Sequence, residues 1–441
     1  MSNKITKEFI KWIIRESLRA GATAAECSGS NSSGMSLKVR RGDIESLERS
    51  EDQTVSLDVF VGDKRSSLST DELSQSSLKR AIKRVVAMAE HAGSDKFNGL
   101  GDKKTYRGDK KITKLYYKDS LVSFETAKEL CLRCEKSLFS YSPKIINSDG
   151  TIFSASIDED FYANSLGIFK TYKSSEAAIM TSAIAKDKTG GSYADSWFSV
   201  KHSVKDIDPE KVGKKAAERV IRLIGEPKEV KTAVWPVIFD NTTASTILGS
   251  IGEALSGSAI YRRASFLKGS IGQKVASSLV TIVDDGIMPG GIGSSPYDND
   301  GIPTRKITVI DKGILKSYLL DIYSGRRLGL PSTGNAGGLN NFYLKPGRMT
   351  ESEMIASMKE GLYVTQLMGF GIDIVSGDFS QGAMGLWIKD GKIAYPVKDI
   401  TISGKLSEMF MNIDAVSNNL DPRSRVAAPS LKISGMVVSG K

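Results

Sequence analysis

The stretch Ala383-Met-Gly-Leu-Trp-Ile-Lys-Asp-Gly-Lys-Ile-Ala-Tyr-Pro-Val397 decides the class of fold. Two runs of strand character, 383–388 and 392–397, flank Asp390-Gly391, a pair suited to the left-handed conformations of a tight hairpin turn. The same signature recurs around it. Residues 234–239, 279–283, 305–310, 314–320 and 431–438 read as further short strands, and Asp311-Lys312-Gly313 reads as a second hairpin turn. Two helices interrupt them, at 243–257 and 350–360, the latter opened by a capping box of Thr350 and Glu353. Glycine-rich sheet runs with few helices predict a curled, partly closed, barrel-like β-domain.

The preceding half mixes helices with antiparallel sheet. Residues 6–20 form a helix that ends at Gly21. Strand-like segments at 35–40, 44–50, 54–61 and 64–69 are separated by turn signals at Arg41-Gly42-Asp43, Glu51-Asp52 and Gly62-Asp63, predicting a meander. Thr70 then caps a helix over 71–92, with Leu78, Ile82, Val85 and Ala89 on its buried stripe. A further helix spans 123–141, and alternation over 145–200 predicts a second sheet. Asp208-Pro209 opens a helix that stops before Gly225. The polar, Lys-rich stretch 226–232 marks a domain boundary. The expectation is an α+β chain with an N-terminal α/β region over 1–225 and the β-rich domain over 226–441. Within the first, subdomains of about 1–100 and 119–225 are joined by a basic linker, 101–118.

Composition excludes several classes. With 40% hydrophobic and 25% charged residues the chain is a folded one, not a disordered one. No apolar run reaches the eighteen or so residues of a membrane helix, and Lys11, Arg15, Glu16 and Arg19 break up the first twenty residues, so no signal peptide is expected. Three cysteines are too few for a disulfide framework, which points to a reducing, cytoplasmic setting. Cys131 and Cys134 form a CxxC, but Ala127 and Leu138 share their helical face, so both read as core residues. The net charge is +10, densest over 103–118, where Tyr106, Tyr116 and Tyr117 are interleaved. That pattern suits either a nucleic-acid contact or a solvated linker. The linker is favoured, because the remaining charge is dispersed and no nucleic-acid motif accompanies it.

Catalytic residues are scarce. His91 and His202 are the only histidines, and each reads as a surface residue rather than a metal ligand. Ser265-Phe-Leu-Lys268 matches SxxK and Lys188-Thr189-Gly190 matches KTG, but their order is the reverse of that in penicillin-recognising enzymes. Gly369-Phe-Gly371 lacks the third glycine of a dinucleotide loop. The glycine-rich stretches 289–294 and 334–338 read as tight turns, with lining of a peptide or anion site as the alternative.

Several blocks together resemble the PmbA/TldD family in order and spacing. They are Ile251-Gly-Glu-Ala-Leu-Ser-Gly257, Tyr261-Arg-Arg263, Ser332-Thr-Gly-Asn-Ala-Gly-Gly338, Gly371-Ile-Asp-Ile-Val-Ser-Gly377, Asp378-Phe-Ser-Gln-Gly382 and Ile388-Lys-Asp-Gly-Lys-Ile-Ala-Tyr-Pro-Val397. Gly21-Ala22, Ala24-Ala25-Glu26 and Leu68-Ser-Thr70 extend the likeness over nearly the whole chain. TldD-side members of that family carry HExxxH on a helix plus a cysteine ligand near the C-terminus. Here the matching helix has Gly252 and Gly257 at the histidine positions and keeps only Glu253, and residues 418–429 contain no cysteine.

The resemblance therefore implies the PmbA/TldE-type branch. It implies a chain with no catalytic residue, metal or cofactor of its own, paired with a HExxxH-bearing TldD-type subunit that holds the zinc. It further implies unfolded or small peptides as substrates, bound as an added β-strand. Family members have also been described as modulators of DNA gyrase. Two other functions compete: a stand-alone peptidase or amidase with an atypical metal or acid–base site, marked by clustered titrating carboxylates in a pocket of the second domain, and a nucleic-acid-associated modulator. A homodimer of the chain alone is compatible with the first reading. Nucleic acid and membrane are not expected partners.

Overall fold

A computed structural model describes residues 4–187 and 190–440. Its first half is one antiparallel sheet of seven strands: β1 (Ala24–Arg40), β2 (Asp43–Val61), β3 (Lys64–Thr70), β4 (Ile145–Asn147), β5 (Thr151–Asn164), β6 (Phe169–Lys186) and β7 (Ser192–Lys201). The order is β3-β2-β1-β5-β6-β4, with β7 on β6, so the sheet takes strands from both sides of the basic stretch 101–118. Alternation along the strands sorts two faces. Ala25, Cys27, Val55, Leu57 and Val59 point to helices α1 (Lys7–Arg19) and α2 (Gln75–His91). Leu37, Val39, Phe153 and Ile179 point to α3 (Phe124–Ser140) and α4 (Pro209–Ile221). The opposite face carries Glu26, Ser28, Ser30, Ser56, Asp58 and Asp160.

The second half contains two further sheets. One comprises β8 (Ala233–Phe239), β13 (Glu360–Met368), β14 (Asp378–Lys389), β15 (Lys392–Lys405), β16 (Ile413–Val416) and β18 (Leu431–Ser439). Pairings β15-β14-β13-β8-β18 return to β15, so these five strands close a ring, with β16 attached to β18. Ala233 is the register partner of Val438, so the ring's first and last strands lie side by side. The other sheet runs β11-β10-β9-β12-β17, from β9 (Ile282–Asp285), β10 (Lys306–Asp311), β11 (Ile314–Leu315), β12 (Phe342–Leu344) and β17 (Val426–Ala427). Helices α5 (Asn241–Ala254), α6 (Gly257–Tyr261), α7 (Ile322–Leu328), α8 (Glu351–Ala356) and α9 (Leu406–Met411) complete the half. One apolar core joins α5 to both sheets through Ile247, Leu248, Ile251, Phe239 and Phe342.

A buried ion cluster ties the two halves. Arg219 of α4 lies 2.9 Å from Asp240 and 3.1 Å from Asp195 of β7, and it donates to the Thr365 carbonyl. Asp240 in turn caps α5 by accepting from the Thr242 and Thr243 amides. At the far side Arg326 donates to the Phe97, Gly99 and Leu100 carbonyls.

Several local expectations are corrected. β2 runs unbroken through Glu51-Asp52, because its first ten residues are exposed and a polar pair costs nothing there. Thr70 remains in β3, paired with Val55, and Ser74 caps α2 instead. The helix expected over 243–257 is two helices: α5 ends at Ala254, and Ser256 caps α6 by accepting from the Ala259 amide. The helix expected over 350–360 has its Thr350–Glu353 capping box but stops at Ala356, since Glu360 already belongs to β13. The strand expected over 314–320 is ordered as β only at β11.

Candidate functional site

The positions singled out in the sequence lie where α5 gives way to α6. Gly252 sits in α5, and Gly257 is the first residue of α6. Both are packed over by neighbours. A Cβ at 252 would stand 2.7 Å from Leu339 Cδ1 and 3.3 Å from Phe342 Cε1. A Cβ at 257 would stand 2.1 Å from Ser324 Oγ, 2.4 Å from Ser324 Cβ and 3.0 Å from Leu320. Glu253 is exposed between them. Two ligand positions filled by aliphatic and hydroxyl side chains do not fit a zinc ion, which needs nitrogen, sulfur or carboxylate donors converging at about 2.0–2.3 Å. Among the described residues, no group of three or more His, Cys, Asp or Glu is arranged to hold a metal.

Leu339 also borders a cavity of about 800 Å³ between the polar face of the first sheet and the loops of the second half. Both glycine-rich stretches contribute to its wall, through Gly293 and Gly337, so they form tight turns and line a cavity at once. Its chemistry is dominated by carboxylates. Glu26 accepts from the Tyr162 hydroxyl at 2.8 Å. Burial, reinforced by the charge of Asp300, pushes Glu26 up to about 8, and the Tyr162 bond only partly opposes this. Asp298 and Asp300 are both raised, by burial first and then by neighbouring carboxylate charge. Asp298 is committed to structure: it accepts from the Asp300, Ile302 and Ala336 amides. Asp300 accepts from the Ile322 amide. Sequence reasoning missed this cluster, because its members come from strands and loops far apart in the chain.

The remaining sequence candidates are structural. His91 is exposed at the end of α2, as expected of it. His202 is not a surface residue: it is 8% exposed, with Nδ1 2.6 Å from the Ser175 carbonyl and Nε2 3.1 Å from the Gly291 carbonyl. It pins the first sheet to the glycine-rich loop of the second half. Ser265 is buried, its hydroxyl donating to the Ala254 carbonyl at the end of α5, while Lys268 is exposed. Lys188 and Thr189 of the KTG lie outside the described residues. Cys131 and Cys134 lie on the buried face of α3, and burial pushes both thiols up to about 12, the opposite of a redox pair. In the basic stretch Tyr106 is 2% exposed and stacks with Tyr162, which removes it from any nucleic-acid platform. Among the described residues, no helix is long and apolar enough to cross a membrane.

Three family models match the chain in order: PmbA/TldA metallopeptidase domain 1 over residues 25–89, the central domain over 117–224 and the C-terminal domain over 232–440. The chain is similar to the metalloprotease PmbA homolog of Haemophilus influenzae, with 32% identity over 440 residues, covering 98% of this chain and 96% of the relative. It is similar to the metalloprotease PmbA of Escherichia coli O157:H7, with 31% identity over 418 residues and coverage of 95% and 92%. Among solved structures, a Bacteroides thetaiotaomicron protein provisionally described as a modulator of DNA gyrase superposes with a TM-score of 0.92 at 26% identity, covering 100% of both chains. TldE of Thermococcus kodakarensis superposes with a TM-score of 0.87 over 98% of this chain and 100% of that one. At 20% identity this second likeness speaks for the fold alone.

Proposed function

The chain belongs to the PmbA/TldD metallopeptidase family, and from that premise we propose that it is the non-catalytic partner subunit of a heterodimeric zinc peptidase acting on unfolded or small peptides. The observation that carries this reading is the packing at 252 and 257, where Leu339 and Ser324 occupy the space that ligand side chains would need. In this reading the zinc sits in a HExxxH-bearing TldD-type subunit, and Glu253 is a remnant on an exposed helix face. The test is direct. The purified chain should carry less than stoichiometric zinc and fail to cleave an unfolded peptide, while the mixture with its HExxxH-bearing relative cleaves it. Glu253→Ala should leave the mixture's rate unchanged. Zinc-dependent cleavage by the chain alone, abolished by Glu253→Ala, would overturn the proposal.

One observation favours a second reading, a hydrolase that uses carboxylates as acid and base: the raised values of Glu26, Asp298 and Asp300 around one cavity. It is the weaker reading, since Asp298 already directs both oxygens at backbone amides. Glu26 still yields a prediction. Its folded-state value, about 8, lies above the ordinary 4.5, so the folded chain holds a proton that the unfolded chain has lost between those values. Stability then falls as pH rises from about 4.5 to about 8 and stays reduced above that. Glu26→Gln should raise the melting temperature at pH 9, have no effect at pH 4, and leave cleavage by the mixture intact. A melting temperature unchanged at pH 9 would count against a protonated Glu26.

A further inference from the structure

A second cleft, of about 790 Å³, opens on a different side of α5, between β7, α4 and the loop after β13. Its floor is charged and buried. The Arg423 guanidinium lies over Trp197, its central carbon 3.5 Å from the ring centroid, and is fixed there by donating to Asp421 at 2.7 Å and to Thr242 Oγ1 at 2.8 Å. Arg219 and Lys215 stand 5.3 and 5.9 Å from the same indole, so three cations surround one ring. Arg423 is only 7% exposed. Burial, with the like charge of Arg219, pulls it below the ordinary guanidinium value although Asp421 opposes them. In the same floor the Nε of Arg219 and the Oδ2 of Asp195, both buried, face each other at 3.1 Å as an ion pair.

The rim is apolar and unpartnered. Phe370 is 108% exposed, a large aromatic ring held wholly in solvent at the mouth of the cleft. Thr242, Thr246 and Ser250 line the wall from α5 at helical spacing, and Glu253 continues the same stripe.

We propose that this cleft binds a peptide segment, placing a carboxylate against Arg423 and an apolar side chain against Phe370 at the rim. The peptide class rests on the partner-subunit reading; the carboxylate and the apolar group are assigned by the cleft itself. A guanidinium already held in place by Asp421 and Thr242 can offer its remaining N–H groups to a carboxylate with little loss of side-chain freedom, and the volume is that of a small-ligand site. The carboxylate comes from the peptide's C-terminus or from an acidic side chain.

The test uses the chain alone, free of metal, and a dye-labelled octapeptide of apolar and neutral residues, read by fluorescence anisotropy. Three forms are compared: the free acid, the C-terminal amide, and the amide with one internal glutamate. The free acid, the glutamate form or both should bind about tenfold more tightly than the plain amide, which identifies the source of the carboxylate. Arg423→Gln should erase that difference. Phe370→Ala, which removes a side chain fully in solvent and so cannot disturb the fold, should weaken all forms several-fold. Equal binding of the three forms, absence of binding, or binding indifferent to Phe370→Ala would overturn the proposal. Because no partner is present, such a failure is distinct from a failure of the mixture to cleave peptide.

Discussion

The Gly257→His variant is expected to lose about 3 kcal/mol of stability, or to fail to fold, and to gain no zinc. The first atom of any side chain at 257 would lie 2.1 Å from Ser324 Oγ, closer than non-bonded atoms approach. Ser324 has nowhere to go. It is 1% exposed, and its hydroxyl and amide both bond Asp321 in the capping box of α7. Moving it would cost that cap as well as the packing of α6 on α7. Adding Gly252→His would drive a second ring into Leu339 and Phe342. The control is Gly249→Ala on the same helix, where an added Cβ meets nothing within 4 Å; it should be neutral or stabilising by up to about 1 kcal/mol. Urea unfolding and zinc calorimetry on the three variants decide the matter. A stable double variant that binds zinc tightly would show that the ligand positions were vacant rather than filled.

Arg219→Met is expected to cost about 3–5 kcal/mol, the penalty of leaving buried charge without its partner. Asp240 is 2% exposed, and Arg219 is its nearer cation, at 2.9 Å against 3.3 Å for Arg222. Asp195 would lose its cation altogether, since Arg219 is the only salt-bridge partner it has among the described residues. The loss also frees the Thr365 carbonyl of β13, so the seam between the two halves loosens. Denaturant unfolding should show the drop, and limited proteolysis should cut near the junction of α4 and β8. Arg219→Met combined with Asp240→Asn should recover part of the loss by removing the stranded charge. A single variant as stable as the parent would mean that the cluster is solvated and contributes little.

The sequence discloses features that depend on one or two neighbouring residues. Asp390-Gly391 and Lys312-Gly313 adopt positive φ at both positions, as the hairpins required. Asp208 caps the helix it opens, and Thr350 and Glu353 form their capping box. The break between α5 and α6 is harder to see, since the Ala254 carbonyl at the end of α5 is taken up by Ser265, a residue beyond α6. Glu51-Asp52 carries a turn signature yet lies within β2, because turn residues are equally at home on an exposed edge. The site was legible only as a substitution pattern. That Gly252 and Gly257 lack ligand side chains is plain in the sequence; that Leu339 and Ser324 fill their places is a matter of volume between distant segments. The gathering of Glu26 with Asp298 and Asp300 is likewise a product of topology, to which periodicity is blind.

The ring of strands has a mechanical consequence. β18, the last strand, is gripped on one side by β8 and on the other by β15 and β16. A pull on the C-terminal end therefore cannot peel away an edge one bond at a time; it loads ladders on both flanks in shear. The N-terminal sheet has no such protection, since β3 and β7 are each held along one flank. Under tension the chain should yield first at that sheet, with the ring still closed.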